Sequence, residues 1–416
     1  MGTAMSSPRV LHVSLSDYRG GADIAARRIF QAGREVGVDA RMAVRDSQNP
    51  TDGVSVIPLS ASRQRLATTS MAVASRVQKS SNPFHRSLNV IPTGGITVPG
   101  FSPDVVHLHW VGSNTLSLAE IQRIPQPVVW TLHDSWPFAG AEHHPSYPAD
   151  RRFIEGYKGS NRVDASRIDV DGWIWGRKRR TWERRFYLTA PSTWMADQAR
   201  SSVLMSGQPI VVIPNPVEPM QPRSQLKSRD DLGISPDAFV VVTAGIGGVE
   251  VSSKGWGVLR NALQHMAVHS PGVHLVIIGQ EDRPQDIPAG VECTVTGRLT
   301  GSHAVARTMA CGDIFVTCST IESFGLAAAE ASAMGIPVVA PAATGLLDVV
   351  VDGETGWTFS AGNDQALTDI LVAAKNDPHE RQRRGNQGRL RAETLWSPQV
   401  VGQQYRDLYE SVLKST

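Results

Sequence analysis

The stretch TCSTIESFGLAAAEASAMGIPVVAP, residues 317–341, holds the pattern that decides the fold. The apolar run that ends at Cys318 predicts a buried strand, LAAAEASAM predicts a short helix, and IPVVA predicts the next strand. Gly335 suits the left-handed position that follows a helix end. A loop between a parallel strand and a helix lies at the carboxyl edge of the sheet, where α/β proteins bind ligands.

Two glutamates, Glu322 and Glu330, flank the start of this predicted helix. The backbone N–H groups at the helix start would be unpaired and would point outward with the positive end of the helix dipole, as in phosphate sites. These are the N–H groups of Ser323, Phe324, Gly325 and Leu326. Glu330 can accept hydrogen bonds from both hydroxyls of a ribose, and Glu322 is placed to meet sugar hydroxyls. The spacing fits a nucleoside diphosphate sugar, although a surface helix with two solvated acids has the same pattern.

Short apolar runs rich in Val and Ile alternate with helical patterns along most of the chain. The runs are residues 10–15, 105–109, 127–132, 188–191, 209–213, 238–243, 273–278, 314–318, 337–340 and 356–359. Runs of this length, separated by helices, indicate parallel sheets that are covered on both faces. The two sets predict an α/β protein with two doubly wound domains.

The seam between the two domains is predicted near residues 214–233, a proline-rich, polar stretch without periodicity. We therefore expect a first domain over residues 1–220 and a second over residues 221–394. The tail, residues 395–416, has the pattern of one amphipathic helix. This helix either ends the second domain or packs back on the first, and we expect the second arrangement.

The composition excludes several classes of protein. Of 416 residues, 41% are hydrophobic and 19% are charged, as in a folded globular protein, and the net charge of +2 gives no global argument for nucleic acid binding. The opening residues lack a secretory signal pattern, and no apolar run approaches the roughly 18 residues of a membrane span. Three cysteines without metal-ligand spacing favour a reducing compartment. We expect a cytoplasmic protein.

The pattern around the two glutamates continues as IESFGLAAAEASAMGIPVVAPAATGLLDVVVDGETGW, residues 321–357. This segment resembles the E-x7-E signature of the retaining GT-B glycosyltransferases of the large fourth family. The resemblance extends over nearly the whole chain and is weakest between residues 50 and 100 and between 140 and 180. It implies two Rossmann-like domains that face each other across a cleft, with a nucleoside diphosphate sugar on the second domain. It also implies transfer with retention, without a metal or another cofactor.

The resemblance assigns catalytic roles to three residues. Lys254, in SSKGW, matches the family's basic residue and would neutralise the diphosphate as the sugar departs. His133, in VVWTLHDSWPFAG, would reach a hydroxyl of the donor sugar near the reaction centre. Glu322 is the first glutamate of the signature and would contact the sugar.

The resemblance also implies donor contacts outside the signature. Gly20 and Gly21 follow the first strand, and the pair would allow a backbone turn against an anion. The family's second basic residue is not evident in residues 245–248, and Arg298 of TGRL could compensate for it. Contacts to the base are expected at the backbone from residue 297 to Leu299.

A subgroup of the family with a His-Asp-x-Trp-Pro-Phe stretch is often found in polysaccharide pathways, which implies a glycan or lipid-linked acceptor. Residues 53–103 and 151–185 are basic, and the second segment has interleaved tryptophans. These segments either meet a membrane surface or a lipid diphosphate, or form a solvated basic face. No cysteine precedes Cys293, which excludes a cysteine-based zinc site in the first domain.

Four other interpretations compete with this one. A metal-dependent glycosyltransferase of the single-domain type would use Asp169 and Asp171, but this pair lies in a basic, tryptophan-rich segment and favours a loop or a helix start. A nicotinamide dehydrogenase would need glycine at position 250, where Glu250 stands. A GT-B phosphorylase or epimerase, and a nucleotide-sugar-binding protein without transferase activity, remain alternatives.

Overall fold

The structure is a computed structural model that describes residues 7–78, 86–145, 149–162, 168–219, 224–245, 252–299 and 301–415. The chain divides into two compact units, which we call the N-domain and the C-domain. The N-domain comprises Met1–Pro216 with Pro398–Thr416, and the C-domain comprises Val217–Ser397. The division therefore falls a few residues before position 220, inside the proline-rich stretch, and the final helix belongs to the N-domain.

The N-domain contains a seven-stranded parallel sheet in the order β3-β2-β1-β4-β5-β6-β7. Its strands are β1 (Arg9–Ser16), β2 (Asp39–Asp46), β3 (Val54–Val56), β4 (Val105–Leu108), β5 (Val128–Thr131), β6 (Phe186–Ala190) and β7 (Ile210–Val212). Its first helices are α1 (Gly21–Glu35), α2 (Ala61–Val77), α3 (Leu118–Gln122), α4 (Arg152–Glu155), α5 (Val170–Thr181) and α6 (Thr193–Ser201).

The C-domain contains a six-stranded parallel sheet in the order β10-β9-β8-β11-β12-β13. Its strands are β8 (Phe239–Ala244), β9 (Val273–Ile278), β10 (Val291–Val295), β11 (Ile314–Val316), β12 (Val338–Pro341) and β13 (Gly356–Phe359). Its helices are α7 (Gln225–Asp231), α8 (Trp256–His269), α9 (Ser302–Met309), α10 (Leu326–Ala333), α11 (Leu346–Val349), α12 (Asp364–Asn376) and α13 (Pro378–Leu395), and the chain ends with α14 (Pro398–Lys414).

Each sheet is buried on both faces because successive side chains of a strand point to opposite sides. In β8, Val240 and Val242 pack into one apolar cluster with α10 and α13, whereas Phe239 and Val241 pack into another with α8 and α12. The apolar runs of the sequence are thus strands that contribute to two cores at once. This arrangement confirms the predicted pair of doubly wound α/β domains.

The sequence analysis missed three strands, and each departs from the pattern of a doubly buried strand. β2 has the sequence DARMAVRD, in which charged residues interrupt the apolar run. β3 has only three residues, and β10, with the sequence VECTV, lies at the edge of its sheet and is mostly half-buried. The edge strands β3 and β10 bury less side-chain area and carry a weaker signal, whereas β2 is buried on both faces and its apolar run is interrupted by Arg41 and the buried Arg45.

Helix α14 returns to the N-domain and packs against α1. Val401, Tyr405, Tyr409 and Val412 are buried in an apolar cluster with β1, β2 and α1. The two helices approach closely at Gly402, where a Cβ atom would collide with the carbonyl oxygen of Ala32. Only glycine permits this backbone contact between the helices.

The three cysteines are thiols without disulfide partners. Cys311 and Cys318 are buried, and burial raises the pKa of each thiol to about 12. Thiols in this state are inert packing groups. In the described residues, no helix is long and apolar enough to span a membrane.

We predict that Gly402→Ala destabilises the N-domain by about 1–3 kcal/mol because the new methyl group overlaps the backbone of α1. Thermal and urea unfolding would measure the change. Gly176→Ala in α5 is the control, because its methyl group would meet only the Arg180 side chain at an ordinary distance of 3.5 Å. The control should be neutral or slightly stabilising, and equal loss of stability in both variants would contradict the prediction.

Candidate active site

Two loops at the carboxyl edge of the C-domain sheet form the core of the candidate donor site. Gly255 has a left-handed conformation with φ of 67°, and a Cβ atom there would collide with the carbonyl oxygen of Cys318. The Thr320 N–H donates to the Ser253 carbonyl at 2.8 Å. The loop before α8 therefore lies directly against the loop after β11.

This contact joins Lys254 to Glu322, with 2.8 Å between Lys254 Nζ and Glu322 Oε1. The lysine side chain keeps an exposed fraction of 28% and the glutamate side chain one of 24%, so both groups are reachable from solvent. The charge of Glu322 raises the pKa of Lys254, which is protonated at neutral pH. The backbone of Glu322 is held on both sides, because its N–H donates to Thr344 Oγ1 at 3.2 Å and its carbonyl accepts from the Gly345 N–H at 2.9 Å.

Helix α10 begins where the sequence predicted. Gly325 precedes it with φ of 95°, a left-handed conformation that glycine adopts without strain, and Leu346 fills the space where a Cβ atom would lie. The Phe324 side chain is buried against Trp396, so only its backbone can serve a ligand. Leu326 packs against the same apolar cluster.

Glu330 lies in the second turn of α10 and is buried, with 8% of its surface exposed. Its burial in a helix of small residues does not fit the alternative of a surface helix with two solvated acids. The contact of Glu330 with ribose hydroxyls stays a prediction.

The predicted base-binding segment lies at the ends of β9 and β10. The Gly279 N–H donates to the Gly297 carbonyl at 3.1 Å, and the Arg298 N–H donates to Glu281 Oε1 at 3.1 Å. The Arg298 side chain is exposed, and Leu299 is half-buried against the apolar cluster of α10. Of residues 245–248, where the family's second basic residue was not evident, residues 246–248 lie outside the described residues.

His133 lies in the N-domain, two residues after β5, and is buried in a row of histidines. His109 Nδ1 is 3.1 Å from His133 Nε2, and His109 Nε2 is 2.9 Å from His12 Nδ1. Burial lowers the pKa of His12 to about 3 and that of His133 to about 4, and the pKa of His109 is lowered well below its usual value. These imidazoles are neutral at physiological pH.

A fourth histidine, His107, neighbours this row but bonds elsewhere. Its Nδ1 lies 2.7 Å from the Tyr409 hydroxyl and its Nε2 lies 2.7 Å from Thr131 Oγ1. Nitrogen atoms of His12, His107 and His109 lie within 4.8 Å of one another, a spacing that could hold a metal ion. The sequence analysis missed His12, His107 and His109. The alternation HLH in residues 107–109 was the available signal, because it places both histidines on one face of a strand.

Asp134, next to His133, is held by three donors. Its carboxylate accepts from Trp110 Nε1–H at 2.6 Å, from His143 Nδ1 at 2.5 Å and from the Trp136 N–H at 2.9 Å. Although burial alone would raise it, the pKa of Asp134 is lowered to about 2 because His143 and these donors favour the carboxylate. The position of the His133 backbone is therefore fixed by a neighbouring charged network.

His143 Nε2 also lies 2.7 Å from Ser87 Oγ, so Ser87, His143 and Asp134 are arranged in the order of a hydrolase triad. The Ser87 side chain is fully buried, and its oxygen accepts from the Ser113 N–H at 2.8 Å. A nucleophile in this position cannot reach a substrate. The arrangement is a structural network that supports the loop after β5.

Lys178 of α5 also stabilises the loop after β5. Its buried ammonium group donates to the carbonyl oxygens of Trp136, Ala139 and Gly140 and lies 3.9 Å from the centre of the Trp136 ring. Burial lowers the pKa of this lysine. The basic segment of residues 151–185 thus contains a buried lysine that stabilises this loop as well as exposed basic side chains.

The Asp169–Asp171 pair is a helix start, as the sequence analysis preferred. Asp169 caps α5 by accepting from the Gly172 N–H at 2.8 Å and pairs with Arg152 at 3.1 Å. Asp171 pairs with Arg86 at 2.9 Å. Both carboxylates are committed to arginines, which leaves no basis for a metal site of the Asp-x-Asp type.

The backbone turn expected at Gly20 and Gly21 is not one that requires glycine. Gly20 has an extended backbone with φ of −145°, a conformation open to any residue, and neither glycine has a positive φ. A Cβ atom at either position would meet nothing within 4 Å. The pair does not make a turn that demands glycine, and it leaves the start of α1 uncovered by side chains. Its proposed contact with the donor stays a prediction.

Within the C-domain, the structure brings Lys254 and Glu322 into contact beside the start of α10. Within the N-domain, His133 and the start of α1 both follow parallel strands at the carboxyl edge of the sheet. Two parallel sheets with helices on both faces, each with polar residues at this edge, define a two-domain protein of the GT-B class.

Comparison with known proteins agrees with this class. A sequence model described as "Glycosyltransferase Family 4" matches residues 54–221, and one described as "Glycosyl transferases group 1" matches residues 239–377. HepE from Anabaena, solved in complex with UDP-glucose, is similar in fold, with a TM-score of 0.63, 17% identity, and coverage of 97% of this chain and 100% of HepE. The chain belongs to glycosyltransferase family 4 and has the GT-B fold.

Two curated relatives are similar over parts of the chain. One is the capsular polysaccharide biosynthesis glycosyltransferase CapM of Staphylococcus aureus, 33% identical over 104 residues, which are 25% of this chain and 27% of CapM. The other is a D-inositol 3-phosphate glycosyltransferase of Xylanimonas cellulosilytica, 29% identical over 292 residues, which are 67% of this chain and 65% of that enzyme. The chain thus spans less than two thirds of the length of either relative.

We predict that Asp134→Asn lowers the free energy of unfolding at pH 7 and that its deficit relative to the wild type shrinks in acid. The folded-state pKa of Asp134 is about 2 and the unfolded value is about 3.9. Its carboxylate therefore contributes about 2–3 kcal/mol of stability that is present above pH 4 and is lost as the pH falls towards 2. Urea unfolding at pH 7, 5 and 3 would measure this.

The control is Asp197→Asn, which removes an exposed partner of Arg200 on the surface of α6. This variant should match the wild type at every pH, since an exposed pair contributes little. A deficit in Asp134→Asn that stays constant from pH 7 to pH 3 would contradict the assignment of the charge to Asp134.

Proposed function

We propose that the protein is a retaining, metal-independent glycosyltransferase that moves a hexose-type sugar from a nucleoside diphosphate sugar to a hydroxyl group. The observation that carries the proposal is the partly exposed Lys254–Glu322 pair beside the start of α10. A protonated lysine next to the start of a helix suits a diphosphate. A carboxylate in the same place suits sugar hydroxyls.

In the proposed reaction, the bond between the anomeric carbon and the diphosphate oxygen breaks, and its electron pair leaves with the diphosphate. The acceptor oxygen forms the new bond on the face that the diphosphate leaves, which retains the configuration. The departing diphosphate takes the acceptor proton, so no protein nucleophile is required. Lys254 and the N–H groups of Ser323 to Leu326 stabilise the charge that develops on the diphosphate, the role that a metal ion has in other transferases.

Other site residues have supporting roles in this proposal. Glu322 orients Lys254 through the 2.8 Å ion pair and contacts the sugar, and Glu330 accepts from the ribose hydroxyls. His133, Gly20 and Gly21 contribute donor contacts from the N-domain, and Arg298 and Leu299 contact the nucleotide from the C-domain. A nucleoside diphosphate sugar as the donor is in keeping with the UDP-glucose bound to HepE, a protein of the same fold.

The acceptor is proposed to be a glycan, a glycolipid or another hydroxyl compound of the cell envelope. This part rests on what the relatives are named for, capsular polysaccharide biosynthesis in one case and D-inositol 3-phosphate in the other. The proposed place of action is the cytoplasm, at or near the inner face of the membrane.

Lys254→Ala should lower turnover with a nucleoside diphosphate sugar at least tenfold without loss of folded protein, since tenfold corresponds to about 1.4 kcal/mol at the barrier. A thermal-shift screen with UDP-, GDP-, ADP- and dTDP-sugars would identify the donor, and product analysis would measure turnover. Lys227→Ala, an exposed lysine on α7, is the matched control and should retain wild-type turnover.

Unchanged turnover in Lys254→Ala would remove this residue from the mechanism. Turnover that requires inorganic phosphate would instead identify a phosphorylase. The anomeric configuration of the product, determined by NMR, tests retention directly, and an inverted product would contradict the proposed reaction course.

We also propose contact with an anionic membrane through a face formed by α2 and α5. The two helices pack on each other through Met71, Ala74, Val170 and Ile174. Leu66, Val73 and Val77 recur at helical spacing on α2 and are exposed, while Ala67 and Ala74 are buried.

The outward side of these helices is both apolar and basic. Trp173 on α5 has an exposed fraction of 46%, and the exposed guanidinium of Arg177 lies 5.3 Å from the centre of its ring. Helix α2 contains no acidic residue, and Asp171, the acid of α5, is buried and paired with Arg86. Exposed apolar and basic side chains without acids suit anionic lipid headgroups.

We predict that wild-type protein sediments with phosphatidylglycerol vesicles at low salt and that Leu66→Asp with Val73→Asp weakens binding about tenfold, the value of one or two buried apolar side chains. The control is Leu390→Asp, at a position on α13 with a similar exposed fraction of 56%. Wild-type protein that stays in the supernatant at low salt would contradict the proposed membrane contact.

A further inference from the structure

The row of buried histidines in the N-domain has a geometry that is specific to hydrogen bonding. The rings of His12 and His109 are 11° from parallel with centroids 5.2 Å apart, and those of His109 and His133 are 28° from parallel with centroids 5.4 Å apart. In each pair, the distance between the ring centroids exceeds the distance between the two hydrogen-bonded nitrogens by about the width of one imidazole ring. Such a difference arises when the two centroids and the two nitrogens lie nearly on one line. The rings therefore meet edge to edge, nearly in one plane, with the nitrogens directed at each other.

A shared metal ion would need a different arrangement. Nitrogen ligands at about 2.0–2.1 Å from a tetrahedral zinc ion are about 3.4 Å apart, and their lone pairs converge on one point. The nitrogens here are 2.9 Å and 3.1 Å apart, within the range of direct hydrogen bonds. The third candidate ligand, His107, already bonds through both nitrogens, to Tyr409 and Thr131.

Three neutral imidazoles in a row can share their hydrogens in only two ways. Each carries one hydrogen, since burial keeps the three rings uncharged, and His109 can donate to only one neighbour. Either all three rings carry the hydrogen on Nδ1, or all three carry it on Nε2. The tautomer of His133 is therefore coupled to that of His12 through His109.

The buried end of the row selects between the two arrangements. His12 Nε2 is completely buried and has no hydrogen-bond partner among the described residues. In the second arrangement this atom would be an N–H donor without an acceptor, and buried N–H groups without an acceptor are rarer than acceptors that lack a donor. In the first arrangement it is a bare nitrogen, and His133 accepts at Nε2 and carries its hydrogen on Nδ1.

We infer that His12 and His109 are positioning residues that fix the tautomer of His133, so that this ring presents an Nδ1–H donor at the end of β5. We call the hydrogen-bonded row of His12, His109 and His133 the wire. Its buried end at His12 determines the direction in which each ring donates. The tautomer follows from the N-domain alone, whereas its consequence for sugar transfer rests on the proposed function. In that function, His133 offers a fixed donor to a hydroxyl of the donor sugar, and the wire prevents the ring from turning into an acceptor.

The tautomers can be read from long-range ¹H–¹⁵N correlation spectra of protein labelled with ¹⁵N-histidine, recorded without any substrate. The wild-type protein should show a pyrrole-type Nδ1 and a pyridine-type Nε2 for His12, His109 and His133. His109→Phe keeps a ring of similar size but removes both bonds, so the pyrrole-type signal of His133 Nδ1 should be lost or averaged with that of Nε2. Tyr409→Phe, which removes a buried hydroxyl from His107 outside the wire, should leave the His133 signals unchanged.

The wild-type spectrum tests the inference even if His109→Phe fails to fold. A pyrrole-type Nε2 on His133, or an unchanged tautomer in folded His109→Phe, would overturn it, and so would one equivalent of zinc bound to the purified protein. With an active donor, His109→Phe should lower turnover about two- to tenfold, the value of one hydrogen bond, and Tyr409→Phe should not. If the protein showed the predicted tautomers but bound no nucleoside diphosphate sugar, the inference about the wire would hold and the proposed function would be refuted.

Discussion

The candidate donor site depends on the close backbone approach of two loops in the C-domain, where Gly255 lies against the carbonyl of Cys318. Any side chain at position 255 would separate the loops, and Lys254 would move away from Glu322. The approach is possible because both loops leave neighbouring parallel strands, β8 and β11, at the same edge of the sheet. Because position 255 is a glycine, the two loops come close enough for Lys254 and Glu322 to form an ion pair at 2.8 Å beside the start of α10.

In the N-domain, a buried network of hydrogen bonds, and not the close approach of two loops, holds the polar residues in place. Thr131 Oγ1 bonds with His107, Thr189 and Tyr405, which joins three strands to the final helix. Asp134 and Lys178 fix the loop after β5 by charge-assisted bonds to indole, imidazole and carbonyl groups. A buried polar group must be satisfied or the fold loses several kcal/mol, so such a network permits few alternative positions for the loop that carries His133.

The two doubly wound domains were predictable from the sequence because most doubly buried strands are continuous apolar runs, whereas the GT-B architecture was implied by the family resemblance. All ten predicted runs correspond to strands, and the signature from Glu322 to Gly335 identified the loop, α10 and the glycine after it. The edge strands β3 and β10 were not predictable, since they do not need two buried faces, and β2 was not predictable because charged residues interrupt its apolar run. The exposed side of α2 was also unpredictable, because periodicity shows that apolar residues share a side but not which way that side faces.

By itself, the sequence determined the alternation of ten apolar strands with helices, the left-handed Gly335 and the identity of the charged groups near α10, because these follow from local residue chemistry. Only the tertiary structure decided which groups meet: Lys254 with Glu322, 68 positions apart, and His12 with His109, 97 positions apart. Such contacts depend on the register and order of strands in a sheet, which no local pattern encodes. The same limit applied to Gly20 and Gly21, whose extended backbone and open surroundings became evident only once α1 was placed.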